Sequence, residues 1–210
     1  MVARTAPGLF AYVITFVANL RLVAGILEER NSGTLEQAHL SPLTAWQLAV
    51  GRLAAVMIEA VAVAAVAVAA VLVVRAVEVT LSWGVLVPLG LTVAGLAAFA
   101  LLLGAASFTF PGIGAVVHVV GGIVLLLNGT IVPPELFPRW LEVLANLVPS
   151  TLGVSAARGM LLDGQSLGGL WQAGTLGWLL LHTAALAALA VAAYQLQVRR
   201  ALRDGRLGPA

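Results

Sequence analysis

Glu28, Glu29, Arg30, Asn31, Ser32, Gly33, Thr34, Leu35, Glu36, Gln37, Ala38, His39, Leu40, Ser41 and Pro42 form one polar stretch between two long apolar runs. It holds three acids and an arginine in a span too short to be a domain. The chemistry open to such a stretch is recognition: charges held at one face of an apolar protein pair with a partner in water. No catalytic constellation competes with it. The sequence contains no G-x-x-x-x-G-K-[ST] phosphate loop and no H-E-x-x-H pair. His39, His118 and His182 are far apart in sequence, and no serine sits in a nucleophile elbow. Cysteine is absent, so disulfides and thiolate metal sites are excluded.

Local signals shape this stretch. Thr34-Leu35-Glu36-Gln37 fits a capping box, with Thr34 accepting from the Gln37 backbone and the Gln37 side chain reaching back. Gly33 just before it permits a sharp exit from the preceding run. Ser41-Pro42 reads as a second start, a serine N-cap followed by proline at the first helical position. A short helix from about Leu35 to Leu40 is therefore expected at the membrane surface, with Glu36 and Gln37 free for a partner. The plainer reading is a solvated loop between two spans.

The elements that position this stretch follow from composition. Hydrophobic residues make up 61% of the 210 residues and charged residues only 10%, with a mean hydropathy of +1.04. Soluble domains carry about a quarter charged residues. Several apolar runs exceed the roughly 18 residues that mark a bilayer span. The expected fold is all-α: one polytopic membrane helix bundle over residues 1–210. Five spans are expected, at about Pro7–Leu27, Leu48–Val74, Trp83–Phe108, Gly112–Val132 and Leu170–Gln195. The third and fourth form a helical hairpin about Phe110-Pro111-Gly112, because proline followed by glycine breaks a helix and permits reversal. All eleven basic residues are arginine. Arg199, Arg200, Arg203 and Arg206 cluster in the tail, which places the C-terminus in the cytoplasm. Five spans then put the N-terminus outside and the polar stretch inside.

Residues 128–167 have a different character. Pro133-Pro134, Pro138 and Pro149 separate apolar pieces of about ten residues, too short to span and suited to interfacial or re-entrant helices. Trp140 and Phe137 suit the membrane interface. Two short helices, Glu135–Val148 and about Ser150–Leu162, are expected, with Glu135, Arg139 and Glu142 along one polar edge. Inside the spans, Glu59 is read as a polar point on a translocation path or a helix-pairing contact, the plainer reading being a satisfied bundle residue hydrogen-bonded to a neighbour. Arg21 is read as snorkelling to headgroups, and His118 as a packed polar residue rather than a ligand.

Glu29-Arg30-Asn31-Ser32-Gly33-Thr34-Leu35-Glu36, followed by Leu40-Ser41-Pro42-Leu43-Thr44, closely resembles the cytoplasmic signature of the ABC-2 type permeases, the membrane domains of type-2 ABC exporters. Asn128-Gly129-Thr130 to Pro133, then Leu136-Phe137-Pro138-Arg139-Trp140-Leu141, Leu147-Val148-Pro149 and Arg158, resembles the family's external re-entrant hairpin before its last span. The resemblance covers nearly the whole chain, in order. It implies that the inner short helix is a coupling helix docked on an ATPase subunit, with Glu29, Arg30, Gly33, Thr34, Leu35 and Glu36 forming or shaping the contact. Pro42 would set the angle of the next helix. Pro133, Pro138, Trp140, Pro149 and Arg158 would belong to the external hairpin. ATP and magnesium would be bound by the partner, with no cofactor in this chain. The resemblance also implies a second permease copy or homologue, a multi-pass place in the plasma or inner membrane, and efflux of a drug, lipid or polysaccharide-type cargo. No nucleic-acid partner is expected. The family usually has six spans, and this sequence starts about where its second begins, so a first span is expected to be missing. The alternative is a non-transporting scaffold that still binds the ATPase.

Overall fold

The computed structural model describes residues 2–34, 42–76, 83–110, 112–132 and 134–203. Among them are eight α-helices and no strand. They are α1 (Val2–Asn31), α2 (Ala45–Val74), α3 (Leu86–Ala106), α4 (Ile113–Leu127), α5 (Arg139–Leu147), α6 (Thr151–Leu162), α7 (Leu167–Gln172) and α8 (Thr175–Arg203). Four segments are long and apolar enough to cross a bilayer: Thr5–Asn31, Ala45–Val74, Trp83–Ala106 and Thr175–Arg203. The all-helical membrane bundle is as the composition requires, but the fifth span is not among these four.

That span was expected over Gly112–Val132, whereas α4 covers 15 residues, about 22 Å at 1.5 Å per residue. Asn128 ends it. Its side-chain oxygen accepts from the Thr130 backbone N–H at 2.9 Å and from the Thr130 hydroxyl at 2.5 Å. Gly129 then takes a φ of +79°, which glycine adopts without steric cost. Nor does α4 run back along α3 as a hairpin partner. It leans chiefly on α1, where Val23 packs with Ile113 and Val117. The last span is also divided. Gly174, at φ +78°, separates the short α7 from α8.

Burial follows helical spacing. Along α1, Ala11, Ile14, Thr15, Ala18, Leu22, Val23 and Ile26 are buried, a three-and-four repeat that makes one inward stripe. Helix α3 lies at the centre, packed along α8 and α1 and against α6. Small residues allow the close approaches. A Cβ on Gly104 would meet Leu22 at 3.0 Å, and one on Gly153 of α6 would fall 1.6 Å from the Thr92 hydroxyl of α3. Thr15, Thr92 and Ser107 satisfy their hydroxyls within the helix, on the carbonyls of Ala11, Pro88 and Gly104. Helix α2 is the outlier, with only Ala49, Met57, Ala60 and Ala64 buried.

Candidate functional site

The bundle has two unlike ends. Gly104 meets Leu22 and Ile26, Phe108 meets Tyr194 edge-on with ring centres 5.5 Å apart, and Thr109 donates to Gln197 at 2.6 Å. These contacts gather the C-terminal halves of α1, α3 and α8, and the Glu29–Arg52 pair adds the start of α2. The opposite end gathers the start of α1 with residues 128–132 and 134–165.

At the first end the polar stretch leaves α1. Ser32 and Gly33 bond back to the carbonyls of Glu28 and Arg30, and Gly33 sits at φ +74°. The Thr34 hydroxyl lies 2.8 Å from that of Ser32 and donates to the Glu29 carbonyl at 3.3 Å. Leu35, Glu36, Gln37 and Ser41 lie outside the described residues, and with them the expected capping box and short helix. The chain re-enters helix later than Ser41-Pro42 suggested. Pro42 sits in a bend, and the N-cap is Thr44. Its hydroxyl accepts from the Gln47 N–H at 3.2 Å while Gln47 Oε1 accepts from the Thr44 N–H at 2.8 Å, a complete capping box. The Thr44-x-x-Gln47 spacing was readable in the sequence. It lost to the serine-proline pair, whose proline precedes the helix instead of starting it.

Glu29 is turned toward the bundle. Its carboxylate pairs with the Arg52 guanidinium of α2, whose side chain is only 18% exposed. Tyr194, buried on α8, lies within electrostatic range of both. Arg30 is half-buried in the last turn of α1, where a cation faces the helix's negative end.

A second ion pair joins the same two helices deeper in. Arg21 Nη2 of α1 lies 2.9 Å from Glu59 Oε1 of α2. Arg21 therefore does not snorkel away; it finds the acid read as a pairing residue. The two pairs stand about two turns apart on each helix, with the charges exchanged: acid on α1 and base on α2, then base on α1 and acid on α2. Sliding one helix by two turns would bring like charges together, so the pairs select one antiparallel register. Neither pairing was read from the sequence. The signal was present, since Arg21 and Glu29 are spaced like Arg52 and Glu59.

At the other end, proline and glycine shape the backbone. The expected helix Glu135–Val148 is instead a single 3₁₀ turn, Pro134–Leu136, followed by α5. Pro138 is extended (ψ 147°) as the N-cap of α5, so helix cannot run through it. Trp140, Val143, Leu144 and Leu147 form an exposed apolar face on α5. Pro149 is buried beside Gly95 of α3 and turns the chain into α6. Arg158 of α6 donates to the Gly129 carbonyl at 2.5 Å, and Asn128 Nδ2 donates to the Gly8 carbonyl of α1 at 3.2 Å. Pro133 lies outside the described residues. His118 packs tilted against Phe16, and His182 meets the Leu147 carbonyl at 3.2 Å.

The family model of the ABC-2 type transporter matches residues 1–162, from α1 to the end of α6. The chain belongs to that family. Among curated relatives, the "probable multidrug ABC transporter permease YbhR" of Escherichia coli K12 is 29% identical over 200 residues, which is 91% of this chain and 52% of the relative. The protein of the same name in Escherichia coli O157:H7 matches equally. The chain thus spans about half the length of the curated relatives it matches. The expectation of a permease membrane domain rather than an enzyme is met at the level of the family. The ABC-2 match stops at the end of α6, yet α8 beyond it makes the most extensive helix–helix contact of the described residues, with α3.

Proposed function

We propose that this ABC-2 membrane domain is an export permease driven by a separate ABC ATPase. The observation that carries the reading is the ion pair from Glu29, in the last turns of α1, to Arg52, in the second turn of α2, which ties together the two long apolar helices on either side of the polar stretch. A force applied to the chain between them acts on both helices at once. The short helix about Leu35–Leu40 meets the ATPase, with Glu36 as its acid and Arg30 and Thr34 shaping the exit. Glu29 serves the contact from behind, by fixing the turn to α2. ATP binding draws two ATPases together, and two permease copies part to open a path. ATP and magnesium sit on the partner. Residues 1–210 act as one membrane domain, with the polar stretch and the C-terminus on the cytoplasmic side, because the short α4 carries the chain from the Val23 level of α1 to its Gly8 end between the third and last spans. Helices α5 and α6 form the re-entrant hairpin on the outer side, with the apolar face of α5 immersed. The relatives' name points to drug-like cargo, and lipid or polysaccharide cargo fits the same architecture.

The test is co-purification with a candidate ABC ATPase subunit, together with ATP-driven efflux from vesicles. Glu36→Arg replaces a matched contact by a mismatched one and should reduce both. Gly33→Val puts a β-branched residue at positive φ and should misdirect the turn. Partner binding and efflux that survive both changes would reduce the stretch to a linker. For orientation, a cysteine at Gln37 should be protected from an impermeant reagent added outside whole cells and one at Asp163 should react. The reverse pattern inverts the topology.

A further inference from the structure

The Arg21–Glu59 pair is in the wrong place for a lipid-facing surface. Glu59 lies at the midpoint of α2, whose 30 residues extend about 45 Å across a hydrocarbon core of about 30 Å. Arg21 is about 15 Å from the Asn31 end of α1, so it lies near the same depth. The side chains are 63% and 42% exposed on the bundle surface. The outer pair shows what shielding looks like, with Arg52 and Glu29 at 18% and 34%. The shielded pair thus stands near the helix ends, and the open pair stands where water is normally excluded. Ionised side chains at that depth face protein or a water-filled cavity, because hydrocarbon cannot solvate them. Small exposed side chains flank the pair, Ala24 on α1 and Ala55 and Ala62 on α2, with the larger Val63 also exposed one turn from Glu59. Asn19, buried at the same depth, has neither amide atom paired, a demand that a water molecule would meet.

We propose that the α1–α2 face bearing Arg21 and Glu59 borders water inside the membrane and forms part of the wall of the export path. Cargo with a charged group is the class this wall suits. Each partner can exchange its internal ion pair for a charge on the passing molecule, the guanidinium taking an anionic group and the carboxylate a cationic one. This rests on the permease reading for its purpose, but the presence of water on that face can be tested without any transport.

The absence of cysteine makes the background silent. Cysteines at Ala24 and Ala62 flank the pair and leave it intact. A cysteine at Leu189, exposed in the middle of α8, serves as the lipid-facing reference. Membranes containing the full chain with its ATPase would be treated with a small hydrophilic thiosulfonate. Ala24→Cys and Ala62→Cys should be modified at least about tenfold faster than Leu189→Cys, because the reactive thiolate forms only where water reaches it. Equal, slow modification at all three positions would overturn the proposal, whether lipid or protein covers the face. Efflux measured on the same membranes separates the two readings. Fast modification without ATP-driven efflux would break the export reading and leave the aqueous face standing. For the role in cargo selection, the neutral double variant Arg21→Gln with Glu59→Gln should lose efflux of the cationic dye ethidium. Unchanged ethidium efflux would remove the cargo role.

Discussion

The two ends of this bundle are held by opposite chemistry. From the Glu29 end to the middle of the bundle, α1 and α2 are joined by side chains that carry full charges, Glu29 with Arg52 and, deeper in, Arg21 with Glu59. At the Asn128 end, neutral or charged side chains reach backbone carbonyls: Asn128 to Gly8, Arg158 to Gly129, Thr151 to Leu127 and His182 to Leu147. Close backbone approach accompanies these bonds, since a Cβ on Gly8 would lie 2.6 Å from the Thr130 hydroxyl. Backbone carbonyls cannot change rotamer, so that end is fixed in shape. Ion pairs between long side chains keep a register while allowing the helices to tilt. A transporter needs both, a firm seat at one end and a lever at the other. The contrast suggests which end moves.

Breaking the seat should cost most. Gly153→Leu should abolish a monodisperse bundle in detergent, and Gly153→Ala should destabilise by roughly 3 kcal/mol, the upper part of the range for overpacking. The reason is that Thr92 Cβ as well as its hydroxyl lies within 2.8 Å of the new atom. A thermal-unfolding series in detergent reads this, and an unshifted Gly153→Ala would show that α3 and α6 are not locked.

Next comes Asn128→Ala, which removes the stop signal of α4 and frees the Gly8 carbonyl and the Thr130 donors. A loss of about 2 kcal/mol is expected, in the range for leaving buried polar groups unpaired. The same measurement checks it, and a loss no larger than at the charged end would erase the contrast.

The lever should be softer. Arg52→Glu or Glu29→Arg alone places like charges together, and the exchange of both should restore the fold. The coupling read from the four-variant cycle should be about 1 kcal/mol, as for partly exposed pairs. ATPase stimulation should fall more than stability does in the single variants and recover in the exchange. Stimulation that tracks stability one-for-one would make the pair a simple brace.

The smallest stability change is expected at Gly33→Ala. Nothing lies within 4 Å of the added Cβ, so only the positive φ opposes it, at about 1 kcal/mol. Partner binding should nevertheless weaken. Full binding with unchanged stability would show that the direction of this turn is not what the partner reads.

Much of the architecture is written in one dimension. Apolar length and the scarcity of charge require membrane helices, whatever packs where, because a bilayer cannot satisfy backbone groups left outside helices. The ends of α2 and α3 fall within three residues of the hydropathy boundaries for the same reason. Glycine and proline mark their turns locally, and so residues 28–42 and 128–167 were recognisable as the unusual segments. What hydropathy could not do was stop α4 at Asn128. Residues 112–132 are apolar almost throughout, and the stop depends on an asparagine that bonds its own turn and, across 120 residues of chain, the carbonyl of Gly8. Nor could it separate α7 from α8, since Gly174 is one glycine among 22. The charges show the limit most clearly. Arg21, Glu29, Arg52 and Glu59 are visible to any reader of the sequence, and each alone admits several roles. Only the antiparallel docking of α1 on α2 turns them into two ion pairs of opposite sense. Pairing depends on distance in space, and that distance is set by how the helices pack, not by the order of residues along either one.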